Sequence, residues 1–136
     1  MGYELRDHTA DIAVEATGET LGDAFAATAD GMAAAMCEDW PGEGERFELR
    51  VSAEGREALL FDYLDELIYE RDVRSVLPVA NEATVGRDGD RWQLEGSYRG
   101  ISLAAVSARD LKAVTYSEMA VEETADGWRV YVVFDV

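Results

Sequence analysis

Two Asp-Gly pairs, Asp88-Gly89 and Asp126-Gly127, each stand between segments in which apolar and polar residues alternate, and this restricts the second half of the chain more than any other feature. Asp-Gly suits the positive φ angles of tight hairpin turns, so each pair predicts a hairpin. The first joins a segment around Ala83 and Val85 to Trp92, Leu94 and Tyr98. The second joins Met119 and Val121 to Trp128, Val130, Val132 and Phe134. The first half has a different rhythm. Ile12, Val14 and Ala16 alternate with Ala13 and Glu15 as a strand until Gly18 ends it. Thr20 and Asp23 then have capping-box spacing, and Leu21, Phe25, Thr28, Met32 and Met36 recur at intervals of three and four, which predicts a helix over 21–36. Trp40-Pro41-Gly42 breaks that pattern, and Phe47, Leu49 and Val51 start a second strand near Arg46. Leu60, Leu64, Leu67 and Ile68 mark a second helix over 56–71, with Asp62, Glu66 and Glu70 along a different face. Helices gathered early and hairpins late predict an α+β two-layer sandwich, two main helices covering one face of a largely antiparallel sheet. Ile101 to Leu111 fits neither period.

A chain of 136 residues with 48% hydrophobic content is the size of one compact domain, expected to span 1–136. Twenty-nine acidic against twelve basic side chains leave a formal charge of −17, so the average surface repels phosphate backbones and anionic lipid headgroups. Direct nucleic-acid binding and membrane association are therefore not expected. The same excess strains the compact state unless salt screens it; together with abundant Ala and scarce Lys it suggests a salt-adapted host. The single Cys37 allows neither an intrachain disulfide nor a Cys-based zinc site. No stretch has signal-peptide character and none approaches the roughly 18 apolar residues of a membrane span, so a cytoplasmic protein is expected.

The one His and the one Lys fall in short segments, Asp7-His8-Thr9-Ala10-Asp11-Ile12 and Lys112-Ala113-Val114-Thr115-Tyr116. If the first segment is extended, Asp7, Thr9 and Asp11 share one side and His8 points to the other, so carboxylates could approach one cation. Asp135 precedes Val136 directly and places a second carboxylate beside the α-carboxylate of the last residue. Hard divalent cations favour such oxygens, and Asp11, Asp135 and Val136 would need carbonyls, water or a partner's group to fill a shell. On residue types alone, solvated aspartates are the simpler reading in so acidic a chain. Lys112 is read either as a contact for phosphate or a partner's carboxylate, or as a surface ion pair; His8 is read either as a ligand or as a hydrogen-bonded structural histidine, and stands beside Lys112 as a secondary candidate for a functional role. The acidic stripe on the second helix is first a solvated face and second an interface for a basic partner. No nucleophile elbow and no phosphate-cradling glycine loop is present.

Together, the segments Asp7–Ile12, Lys112–Tyr116 and Phe134-Asp135-Val136, with Ala58–Tyr69 between them, resemble the archease family in order and position across essentially the whole chain. The resemblance implies a metal site formed by Asp11, Asp135 and Val136, with calcium as the expected ion, and a functional role for Lys112. It also implies a protein cofactor, not itself an enzyme, that promotes guanylylation and multiple turnover of an RtcB-type tRNA-splicing ligase. A chaperone for a tRNA methyltransferase is a second role proposed for archease-like proteins, and a small metal-dependent phosphoester hydrolase is a third reading, drawn from the carboxylates, Lys112 and His8. Ser117 stands where the family commonly has His, and Ala13 where it has a more basic residue.

Overall fold

The computed structural model describes the backbone of residues 2–8 and 11–136 and the side chains of residues 2–5 and 11–136. Strands β1 (Gly2–His8) and β2 (Asp11–Gly18) precede helix α1 (Leu21–Met36). Strand β3 (Glu45–Ala53) leads to helix α2 (Arg56–Arg74), which is followed by β4 (Val76–Asp88) and β5 (Arg91–Ser102). After a 3-10 turn at Leu103–Ala105 come β6 (Ala113–Thr124) and β7 (Gly127–Asp135). The class is α+β and every strand pair is antiparallel. The strands divide between two sheets, β1-β2-β7-β6 and β3-β5-β4, because the late hairpins recruit different early strands. β5 takes β3 on its free edge, whereas β7 takes β2.

Helix α1 begins where capping chemistry predicts: the Thr20 hydroxyl accepts from the Asp23 amide at 3.0 Å. It lies against β1, β2 and β7 of one sheet and β4 of the other, so most of its circumference is buried. Its alanines and Gly31 permit that close approach; a Cβ on Gly31 would stand 2.6 Å from the Val14 side chain. Helix α2 runs to Arg74, three residues past the expected end, and stops at Ser75 in the left-handed region with φ 54°. Arg71 and Arg74 in its last turn suit the negative end of the helix dipole. The core joins Phe25 and Met32 of α1, Leu60, Tyr63, Leu64 and Leu67 of α2, and Leu94, Tyr98, Val132 and Phe134 from both sheets. Each such large side chain contributes about 1.5–3 kcal/mol through burial.

In the first hairpin Asp88 still pairs with Arg91, so Gly89 and Asp90 make the turn, and of the Asp88-Gly89 pair only Gly89 takes the expected positive φ, 65°. In the second, pairing extends to Thr124 opposite Gly127, so Ala125 and Asp126 make the turn and Gly127 opens β7. Gly127 has φ 149°, and a Cβ on it would meet the Gly18 carbonyl at 2.2 Å, so both its backbone angle and its close approach favour glycine. Strand β1 has no counterpart in the periodicity reading, since only Tyr3 and Leu5 alternate in a short, charged segment. Strand β4 bends at Ala80, φ 49°, where the register shifts against β5. Asp30 of α1 holds this bend by accepting from both the amide and the side-chain nitrogen of Asn81, at 2.9 and 2.8 Å. Among the described residues no helix is long and apolar enough to cross a membrane.

Candidate functional site

One end of the four-stranded sheet gathers the residues that the sequence singles out. Asp11, the first residue of β2, is the direct cross-strand partner of Asp135, the last of β7. Ala113 of β6 pairs with Asp135 from the other side, and the Lys112 amide donates to the Asp135 carbonyl at 2.8 Å. Directly paired residues of an antiparallel ladder have Cβ atoms about 4.5–5.5 Å apart on one face. Asp11 and Asp135 therefore present their carboxylates side by side, Asp11 half-buried and Asp135 exposed, with half-buried Val136 following.

The segment around Asp11 departs from the extended reading. β1 ends at His8 and β2 begins at Asp11, with His8 opposite Asp11 and Asp7 opposite Ile12. Asp7 and Asp11 thus belong to neighbouring strands instead of alternating along one, because the chain reverses between them. The side chains of Asp7 and His8, and Thr9 altogether, lie outside the described residues. The backbone register places His8 beside the aspartate pair and assigns its imidazole no role.

The Lys112–Tyr116 segment is built residue by residue into the same end. Val114 is buried opposite Phe134, and the Thr115 hydroxyl donates to the Val133 carbonyl at 3.0 Å while accepting from the Ser117 amide at 3.2 Å. The Tyr116 ring stacks on Phe61 of α2, centroids 4.3 Å apart. Burial and the nearby Asp62 carboxylate push the Tyr116 hydroxyl pKa up. The ladder then loses register between Thr115 and Ala120, with Glu118 at φ 57°. Lys112 itself is exposed and anchored by its backbone.

Beside Asp11 opens a cleft of about 750 Å³, between β2, the C-terminal end of α1 and the 107–109 segment. Its polar lining includes Asp11, Glu38, Asp39 and Arg109. Periodicity gave no indication of Glu38, Asp39 or Arg109, since all three lie outside regular elements. Arg109 is held there by its amide, which donates to the Met36 carbonyl at 2.7 Å.

The donor chemistry fits a hard divalent cation and does not fit zinc of the Cys/His type. Two paired aspartates supply carboxylate oxygens from adjacent strands. Among the described residues no group of three His, Cys, Asp or Glu side chains converges, so main-chain oxygen at Val136, water or a partner's group would complete a shell. Cys37 is buried and donates its thiol to the Asp39 carbonyl, which removes it from any such set.

This is a small α+β protein in which residues from the two ends of the sequence meet as an oxygen-rich, lysine-flanked site at one end of a sheet. The sequence matches the Archease protein family (MTH1598/TM1083) over residues 3–136. The chain belongs to that family. It is 34% identical to protein archease of Methanosarcina mazei, covering 98% of this chain and 95% of that one. It is also 34% identical to protein archease of Archaeoglobus fulgidus, over the whole of both chains. The solution structure of Methanobacterium thermoautotrophicum protein 1598 superposes with a TM-score of 0.86 at 27% identity, covering 99% of each chain.

Proposed function

We propose that this protein activates an RtcB-type RNA ligase, promoting its guanylylation and repeated turnover, and that it does so through a divalent cation, calcium first, held by Asp11, Asp135 and Val136. The observation that carries this reading is the pairing of Asp11 with Asp135 while Lys112 bonds to Asp135 through the main chain. Membership of the archease family supports it. In this reading Asp11 and Asp135 contribute carboxylate oxygens from two strands that the ladder keeps in register, and Val136 contributes main-chain oxygen. A bound cation would supply positive charge able to meet a phosphate or carboxylate oxygen of the ligase. Lys112 adds a positive charge at the rim, where a partner can reach it. The net charge of −17 directs the protein toward a basic partner and away from RNA itself. RNA bond formation stays with the ligase, in the cytoplasm.

Multiple-turnover ligation by the cognate ligase, at limiting ligase and in host-like salt, tests the proposal. Wild type should raise the rate and the guanylylated fraction, and Asp11→Ala and Asp135→Ala should not. Equal rates with and without wild type, using active ligase, would reject ligase activation; copurification with a tRNA methyltransferase alone would then favour a chaperone role.

A further inference from the structure

The apolar stripe of α2, Leu60, Leu64 and Leu67, continues at the next helical interval onto Arg71, a charge on the face that enters the core. Arg71 is buried, 8% exposed, and a buried guanidinium persists only where its donors are matched. Its Nη1 donates to the Leu111 carbonyl at 2.7 Å and approaches the Met36 sulfur at 3.3 Å. Nε donates to Asp72 at 3.0 Å, and Nη2 stands 3.9 Å from Asp110.

The Leu111 carbonyl and the Lys112 amide belong to one planar peptide unit. Arg71 takes the carbonyl end of that unit, and the Asp135 carbonyl takes the amide end. The peptide leading into Lys112 is thus held at both polar atoms, once from α2 and once from β7. Two anchors on one plane fix the orientation of the bond that enters the Lys112 Cα. Leu111 is 1% exposed, so its side chain adds a third anchor in the core. The same arginine touches the end of α1 at Met36, whose carbonyl accepts from Arg109 in the cleft beside Asp11.

We infer that Arg71 is the positioning residue for Lys112: it clamps the Leu111–Lys112 peptide from the helix side and so sets Lys112 against the Asp11–Asp135 pair. The inference rests on the functional reading above for the role of Lys112, while the clamp itself is a property of the isolated protein. An arginine reaches the carbonyl as a fork whose other nitrogens are held elsewhere, so lysine, with one mobile ammonium, does not reproduce it.

Amide hydrogen exchange of the isolated protein, residue by residue, tests the clamp without ligase. Arg71→Gln and Arg71→Lys should speed exchange of the Lys112 amide by about tenfold or more, the loss of one charge-assisted hydrogen bond. Val14 and Val132 in the same sheet should keep wild-type protection. Unchanged exchange at Lys112 in both variants, or equal acceleration across the sheet, overturns the inference. Ligase activation then tests the consequence in a double-mutant cycle. Arg71→Gln should lower activation toward the Lys112→Ala level, and the two together should be no worse than Lys112→Ala alone. Additive losses overturn positioning through Lys112. If Lys112→Ala activates as well as wild type, the functional role given to Lys112 fails, while the exchange result still judges the clamp.

Discussion

Asp11 and Asp135 are paired residues on adjacent antiparallel strands, so two carboxylates occupy neighbouring places on one face of the sheet. Like charges so placed repel each other by about 0.2–1 kcal/mol, and the cation of the proposed function would turn that repulsion into attraction. In chelator, Asp135→Asn should therefore melt at or above the wild-type temperature. In calcium at about a hundred times its dissociation constant, wild type should gain about 2.7 kcal/mol and the variant should gain almost none. Paired thermal melts with calcium and with chelator check both signs.

Glu66 and Glu70, one turn apart on α2, are driven in opposite directions. Burial, then the hydrogen bond and charge of Glu70, then the charge of Asp65, push the Glu66 carboxyl up. Burial also pushes Glu70 up, but hydrogen bonds with Tyr98, Arg74 and Glu66 outweigh it and hold that carboxyl below its usual range. A raised carboxyl stabilises the fold in its protonated form; that contribution is full below the ordinary glutamate range and is lost as pH rises through the raised value. The depressed Glu70 works the other way, stabilising above its ordinary value and losing that as pH falls through the lowered one. Glu66→Gln keeps a donor toward Glu70 at every pH. It should match wild type at about pH 4 and melt at a higher temperature at about pH 7.5.

Ala80 carries φ 49° on an exposed bend of β4, a conformation that costs a residue with a Cβ about 1–2 kcal/mol. Glycine removes that strain and gives back part of the gain through the freer unfolded chain. Ala80→Gly should raise stability by up to about 1 kcal/mol, a few degrees in melting temperature. Asp30→Ala, which strips the carboxylate that accepts twice from Asn81, should lower it.

The charge of −17 predicts a salt response. Screening weakens the mutual repulsion of exposed carboxylates, so the melting temperature should climb as KCl is raised from low to molar concentration. A flat profile would remove the argument for a salt-adapted host.

Helix α1 was legible to its ends, because the Thr20 cap and the three-and-four spacing are local signals. Both hairpins were legible for the same reason, although each turn is displaced by one residue from its Asp-Gly pair, to Gly89-Asp90 and to Ala125-Asp126. The division into two sheets was not, since which early strand joins which hairpin is decided by tertiary packing and leaves no mark on alternation. At the site, Asp11, Lys112 and Asp135 stood out through scarcity and family likeness, yet their meeting depends on long-range register. Asp7 and Asp11 read as one strand because His8-Thr9-Ala10 between them contains no Gly, Pro or Asn to mark a reversal. Arg71 left a sequence mark, a charge on an apolar stripe, whose partners only the fold supplies.

Because β2 pairs with β7, the first sheet joins segments separated by nearly the whole sequence. A nascent chain emerging from the ribosome can close the β4–β5 hairpin and pack α2 early, but it must hold β2 with one edge bare until the final strand appears. The aspartate pair is consequently a late product of synthesis. Any molecule that recognises it distinguishes a finished domain from a truncated or still-growing one, and a nonsense mutation in the turn just before β7 would abolish the site while leaving most of the polypeptide intact.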